Sequence, residues 1–329
     1  MKNVTLQDIA DELNLTKVSI SKALRDHPDI SEGTRIKVKE MAKKMKYRPN
    51  LVARSLTSSK SKTIGLIIPK IAHYFFASVV ESIYKTAFDH GYEVIIGVSL
   101  EDEKLEKIHI ETMLQMRVDG LLISTTEQTK DLERFEVVKD MGINLVFFDR
   151  GFNDSGFSYI KAEDRNSARQ GVTYLIEQGC TNIAHLSGFD SVDIGRNRRL
   201  GYEDAMKEAG IEINPDAIIE GGYNEEAGYN SFKRLVESSG VPEAVFTVTY
   251  PVGLGALKYM NEHDIDPKTV KILSFGKSDF NKYLTSPFTC IDQPTKSLGR
   301  RAVKQLLSEI NEEGTSTPVL TELACKISI

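Results

Sequence analysis

The chain has 329 residues, 40% hydrophobic and 27% charged, with 23 Gly and 10 Pro, a globular balance with room for two or three domains. No run approaches ~18 uninterrupted apolar residues, the first eight residues are polar, and the three cysteines (Cys180, Cys290, Cys325) form no CxxC; a membrane span, a secretion signal, a disulfide framework and a metal site are not expected, and a reducing cytoplasm is. The net charge of −5 conceals an asymmetry: residues 1–62 hold 14 basic and 7 acidic side chains (+7), leaving 28 basic and 40 acidic (−12) for the remainder. A basic head on an acidic body is the footprint of nucleic-acid binding by the head.

Leu6, Ile9, Ala10 and Leu13 recur at i, i+3, i+4, i+7, one face of a first helix, with Thr5 and Asp8 placed as its cap. After a turn at Asn14-Leu15, Thr16 can cap a second helix from Lys17 to about Arg25, with Ile20, Ala23 and Leu24 inward. A third stripe, Val38, Met41, Ala42 and Met45, follows Ser31. Three short helices with a tight turn between the first two read as helix-turn-helix. The outward residues of the second helix are Lys17, Val18, Ser19, Ser21 and Lys22; cations and short hydroxyls suit phosphates and base edges. Residues 50–56 read as one further short helix, and the Ser/Lys-rich stretch 57–62 as a flexible linker.

Thr5-Leu6-Gln7-Asp8-Ile9-Ala10, Thr16-x-x-Ser19-Ile20-Ser21, Tyr47-Arg48-Pro49-Asn50 and Val52-Ala53-Arg54-Ser55-Leu56 together closely resemble the lactose-repressor/purine-repressor family of bacterial transcription regulators. The resemblance implies a helix-turn-helix domain over 1–49, with Thr5, Thr16, Lys17, Val18, Ser19, Ser21 and Lys22 at DNA. It also implies a hinge helix and linker over 50–62, with Asn50, Ala53, Arg54 and Leu56 at DNA. The leucine matching Leu56 wedges a base step in the minor groove at the centre of a palindrome, which is how an apolar wedge kinks a duplex.

Beyond residue 62, apolar runs at 63–69, 93–99, 120–124, 144–149, 182–187, 217–220, 244–249, 270–275 and 289–292 alternate with amphipathic stretches near 75–90, 102–116, 131–140, 164–178, 197–209, 225–238, 252–262 and 295–311. Alternation of this kind predicts βαβ units and parallel sheets, and the strand number predicts two α/β lobes. Ile64-Gly65-Leu66-Ile67-Ile68-Pro69, Val118-Asp119-Gly120-Leu121-Leu122-Ile123, Arg198-x-x-Gly201-Tyr202 and Ile291-Asp292-Gln293-Pro294 extend the resemblance. They imply a two-lobed body of the type I periplasmic-binding-protein kind over 63–329. The chain is then expected to cross between lobes near 161, 291 and 318, giving a first lobe of 63–161 and 292–318 and a second of 162–291 and 319–329.

No catalytic constellation is present. Gly253-Leu254-Gly255-Ala256-Leu257-Lys258 lacks the features of a phosphate loop, the six histidines show no ligand spacing, and no Ser elbow or HExxH occurs. An enzyme, a cofactor and a metal are not expected. The resemblance places effector contacts at Phe75, Phe76, Asp149, Arg198, Tyr223 and Gln293, and the neighbouring Arg150, Tyr250 and Gly276 join them. Two family patterns are altered: Thr249-Tyr250 stands where Asn-Asp is common, and Ser274-Phe275-Gly276 where Gly-Tyr-Asp is common. Two carboxylates are lost, while Arg150 and Lys277 add cations. This shift points from a neutral sugar toward an anionic, sugar-like effector, because Arg holds carboxylate or phosphate bidentately. The expected protein is a cytoplasmic, homodimeric repressor on near-palindromic operator DNA, answering to a small ligand. The alternatives are a soluble periplasmic-type binding protein, which leaves the +7 head unexplained, and a regulator controlled by a protein partner.

Overall fold

A computed structural model describes residues 4–47, 60–72, 74–312 and 317–328. The predicted hinge, with Asn50, Ala53, Arg54 and Leu56, lies outside the described residues. The chain divides into two compact units, a head up to Ser61 and a body from Lys62.

The head contains α1 (Leu6–Leu13), α2 (Lys17–Leu24) and α3 (Glu32–Lys44). Each begins on a side-chain cap. Thr5 and Asp8 form a reciprocal capping box, the Thr16 hydroxyl accepts from the Ser19 amide, and the Ser31 hydroxyl accepts from the Thr34 amide; each cap satisfies a donor the helix itself cannot, worth about 1 kcal/mol. Asn14 ends α1 in the left-handed region (φ 51°), which Asn adopts more readily than most residues. Ile9, Ala10, Ile20, Ala23, Val38 and Ala42 form the buried centre, with Leu6, Leu13, Leu24, Met41 and Met45 packed around it.

The body is two six-stranded sheets flanked by helices. The first contains β1 (Thr63–Ile68), β2 (Glu93–Val98), β3 (Gly120–Ile123), β4 (Asn144–Phe148), β5 (Ser158–Ala162) and β11 (Leu320–Leu323), in the order β11-β5-β4-β3-β1-β2. The second contains β6 (Ile183–Ser187), β7 (Ile218–Glu220), β8 (Ala244–Thr247), β9 (Lys271–Phe275), β10 (Thr289–Asp292) and β12 (Lys326–Ser328), in the matching order β12-β10-β9-β8-β6-β7. All pairings are parallel except β10 with β12.

Three strands were not expected from the sequence. In β5, Lys161 interrupts a run that is buried at every position. β11 lies at a sheet edge, half exposed, and β12 has three residues. Because β11 pairs with β5, the third crossing between lobes falls between 323 and 326 rather than near 318. Residues 319–323 therefore belong to the first lobe.

On the first sheet, α4 (Tyr74–Asp89) and α11 (Thr295–Asn311) pack side by side. Phe76, Val79 and Ile83 meet Leu298, Ala302 and Leu306 in one core, each large side chain contributing roughly 1.5–3 kcal/mol by burial. The contact is close: a methyl on Gly299 would come within 2.7 Å of the Val79 carbonyl oxygen. The opposite face carries α5 (Glu103–Gln115) and α6 (Glu133–Asp140), and the second sheet carries α7 (Asp164–Glu177), α8 (Asp193–Glu208), α9 (Glu225–Ser239) and α10 (Tyr250–Glu262).

Candidate nucleic-acid interface and effector cleft

On α2, Lys17 and Val18 are exposed, Val18 by 65%. The Ser19 hydroxyl hydrogen-bonds the Thr16 hydroxyl at 2.9 Å, and the Ser21 hydroxyl accepts from Arg25 Nη2 at 3.3 Å. Lys22 Nζ is 2.9 Å from Asp29 Oδ2, a partly exposed pair of small energetic weight. A phosphate or base edge can therefore replace Asp29 at little cost. Thr5 and Thr16 are occupied as caps.

In the body, all nine residues expected at the effector line one cleft of 820 Å³, within the range of small-molecule sites. Most stand just past the carboxyl ends of strands: Asp149 and Arg150 after β4, Tyr223 after β7, Tyr250 after β8, Gly276 after β9 and Gln293 after β10. Open parallel sheets present ligand sites at these ends. Phe75 and Phe76 come from the first turn of α4 and meet edge-on at 5.2 Å. Gly276 has φ 87°, and a methyl there would lie 3.3 Å from Gln293 Oε1. Glycine thus fits both the backbone and the space.

Arg198 is 2% exposed. Nε and Nη2 each reach Asp164 Oδ1 at 2.8 Å, Nη1 donates to the Val248 carbonyl at 2.7 Å, and the guanidinium stacks 3.7 Å from the Phe275 ring centre. Its first task is to tie α7, β9 and the end of β8 together. Arg150 is also buried: Nη1 is held by both Glu101 carboxylate oxygens at 3.0 and 3.1 Å, and the guanidinium sits 4.9 Å above Tyr223. Its Nε has no hydrogen-bond partner and lies 4.0 Å from Asp149 Oδ2. Burial pushes the Asp149 carboxyl up to about 6, against the pull of Arg150 and Arg198. Tyr223 donates to the Phe189 carbonyl at 3.3 Å. Tyr250 packs on Phe288 and donates to Asn281 Oδ1 at 3.2 Å, so its hydroxyl is already engaged.

Sequence reasoning missed Glu101 and Asp164. Glu101 lies three residues past the carboxyl end of β2 and, like Leu100, adopts a positive φ (61° and 53°); the rule of strand carboxyl ends could have flagged it. These acids also correct the charge argument. Arg150 is answered by Glu101, Arg198 by Asp164, and Lys277 faces Asp292 at 4.0 Å. Each of the three cations counted in that argument is met by a carboxylate.

Among the described residues, no group of His, Cys, Asp or Glu is placed to hold a metal, and no helix is long and apolar enough to cross a membrane.

Two family models match the chain: bacterial regulatory proteins of the lacI family over residues 5–50, and periplasmic binding proteins and sugar binding domain of LacI family over residues 61–324. The chain is 27% identical to catabolite control protein A of Priestia megaterium over 320 residues, covering 97% of this chain and 96% of that one. It is 27% identical to the transcriptional repressor CytR of Escherichia coli K12 over 315 residues, covering 93% and 89%. A ribose operon repressor structure from Burkholderia thailandensis superposes with a TM-score of 0.75 at 27% identity, covering 82% of this chain and 99% of that one. The lac repressor dimer bound to operator and an anti-inducer superposes with a TM-score of 0.87 at 22% identity over 100% and 98%, a likeness of fold. With a capped helix-turn-helix head, a two-lobed body with a lined cleft, and family models that together span most of its length, the chain belongs to the LacI family of bacterial regulatory proteins.

Proposed function

We propose that the protein is a cytoplasmic repressor that binds a near-palindromic operator as a homodimer, and that a neutral, sugar-like ligand in the body cleft sets its affinity for DNA. The observation that carries the ligand reading is the cleft's composition. Aromatic faces at Phe75, Phe76, Tyr223 and Phe275 surround a few polar groups, Asp149, Gln293 and Arg198, as in sites that stack a sugar ring and orient its hydroxyls. Arg198 has five N–H donors, of which the three bonds described occupy three; two remain for ligand oxygens. Neutral rather than anionic character follows from the acids that already answer Arg150, Arg198 and Lys277.

On the DNA side, Lys17, Val18 and Lys22 are assigned to base edges, and Thr5, Thr16, Ser19 and Ser21 to positioning. Asn50, Ala53, Arg54 and Leu56 are assigned to the hinge contact, with Leu56 as the wedge.

Calorimetry on the full-length protein tests the ligand. A panel of neutral sugars, their phosphates and the corresponding uronic acids should bind in the order neutral first. Tighter binding of the acids would restore the anionic reading, and no binding by any member would favour control by a protein partner. Operator capture from a random DNA pool tests the head: recovery of no palindromic sequence would refute the repressor assignment.

A further inference from the structure

A lysine is an expensive residue to bury, and Lys161 is 4% exposed, in a strand buried at every position. Its ammonium is met from two directions. Asn153 Oδ1 at 3.2 Å and Glu322 Oε1 at 3.6 Å come from its own lobe. Asp193 Oδ2, at 3.2 Å, comes from the other lobe, at the first residue of α8. Asp193 is itself 9% exposed in its side chain and is also held by Arg196.

The position is mechanical as well as electrostatic. Lys161 lies one residue before β5 ends at the first crossing between lobes, and Glu322 lies in β11 just before the third. Asp193 opens the helix that presents Ile194 and Arg198 to the cleft. A rotation of one lobe about the crossings that lengthens the Lys161–Asp193 distance breaks a pair whose two charges are out of water. Such a pair is stable only with both partners in place, so it favours one lobe arrangement over another.

We propose that Lys161 and Asp193 form a latch between the lobes, made when the cleft is closed and broken when it opens, so that the pair sets how much of the ligand-free protein is closed. The inference is independent of which ligand the cleft takes.

Hydrogen exchange on the full-length, ligand-free protein tests it with Lys161→Met, Asp193→Asn and the double variant Lys161→Met/Asp193→Leu, which replaces the pair with apolar groups. If the pair is a latch, amides on both sides of the cleft mouth, at residues 149–151, 223–224 and 276–278, exchange about tenfold faster in each variant. Amides of β3 and β8, at the centres of the two sheets, keep their wild-type rates. The double variant is no faster than either single, because both singles break the same ion pair. Unchanged exchange at the cleft mouth, or a rise confined to residues 193–196, would overturn the latch. Faster exchange in β3 and β8 would also overturn it, since the lysine would then be holding the fold together rather than the lobes.

Discussion

Asp149 allows a stability prediction whose size follows from one buried carboxyl. The residue sits at φ 59°, a region Asn tolerates as readily as Asp, so Asp149→Asn removes the charge without straining the backbone. The carboxyl is 6% exposed, with the Ser124 hydroxyl 3.4 Å away as a donor. Burial moves it from 3.8 to about 6. An acid with a raised pKa holds its proton more tightly in the folded protein than in the unfolded chain. Its favourable contribution is therefore complete below pH 3.8 and is lost as the pH rises through about 6. At 1.36 kcal/mol per tenfold, the gap corresponds to about 3 kcal/mol at neutral pH and above. Asp149→Asn should thus be more stable than wild type by about 2–3 kcal/mol at pH 8, with the advantage closing toward pH 4. The chain has no Trp, so urea unfolding followed by far-UV circular dichroism between pH 4 and 8 is the assay. A variant less stable than wild type at pH 8, or a difference that does not change with pH, would refute the reasoning. The same variant should bind its ligand more weakly, because a destabilising polar group in a binding cleft is commonly kept for function.

Arg198→Ala leaves Asp164 buried without its cation and should cost about 3–5 kcal/mol in the same unfolding assay; a loss below about 1 kcal/mol would show that the bonds to Asp164 and Val248 are not what keeps this arginine in place. Gly299→Ala should destabilise the body by about 1–3 kcal/mol, because the methyl meets the Val79 carbonyl at 2.7 Å and the helix-propensity gain of about 1 kcal/mol does not offset moving α4 and α11 apart; a rise in melting temperature would contradict that packing. Exchanging Lys17, Val18 and Lys22 together should change the sequence selected from a random DNA pool, whereas Ser21→Ala should weaken binding evenly across sequences; an unchanged selected motif would remove the three from base reading. Sedimentation should show a dimer at micromolar protein, and a monomer both free and on operator DNA would overturn the twofold assembly.

The parts of this fold that were legible in the sequence are those whose causes are local. Thr5, Thr16 and Ser31 announce helix starts because a cap acts within three residues. The runs at β1, β3, β4 and β8 are apolar because strands buried on both faces carry no polar alternation. What was not legible depends on distant partners. β5 is hidden by Lys161, whose charge is accommodated by Asn153, Asp193 and Glu322, all outside the run it interrupts. The pairing of the cleft's cations was illegible for the same reason: Arg150 is visible in the sequence as a cation, but the Glu101 that answers it lies 49 residues away. The nine cleft residues could be named because they match, or adjoin positions that match, the family's motifs; the bonds that occupy them could not.

The connectivity also sets an order of events during synthesis. The head is one continuous stretch whose core is complete by Tyr47. Both sheets, in contrast, are finished by strands at residues 320–328, and the first also needs α11 for its cover. At roughly 5–20 residues per second, translation separates these two points by about 15–60 s. The reading head can therefore be folded on the ribosome while neither lobe is complete. A product truncated before β11 would carry a DNA-reading surface with no finished cleft to govern it, which makes translation of the last few strands, rather than of the head, the step that brings the protein under ligand control.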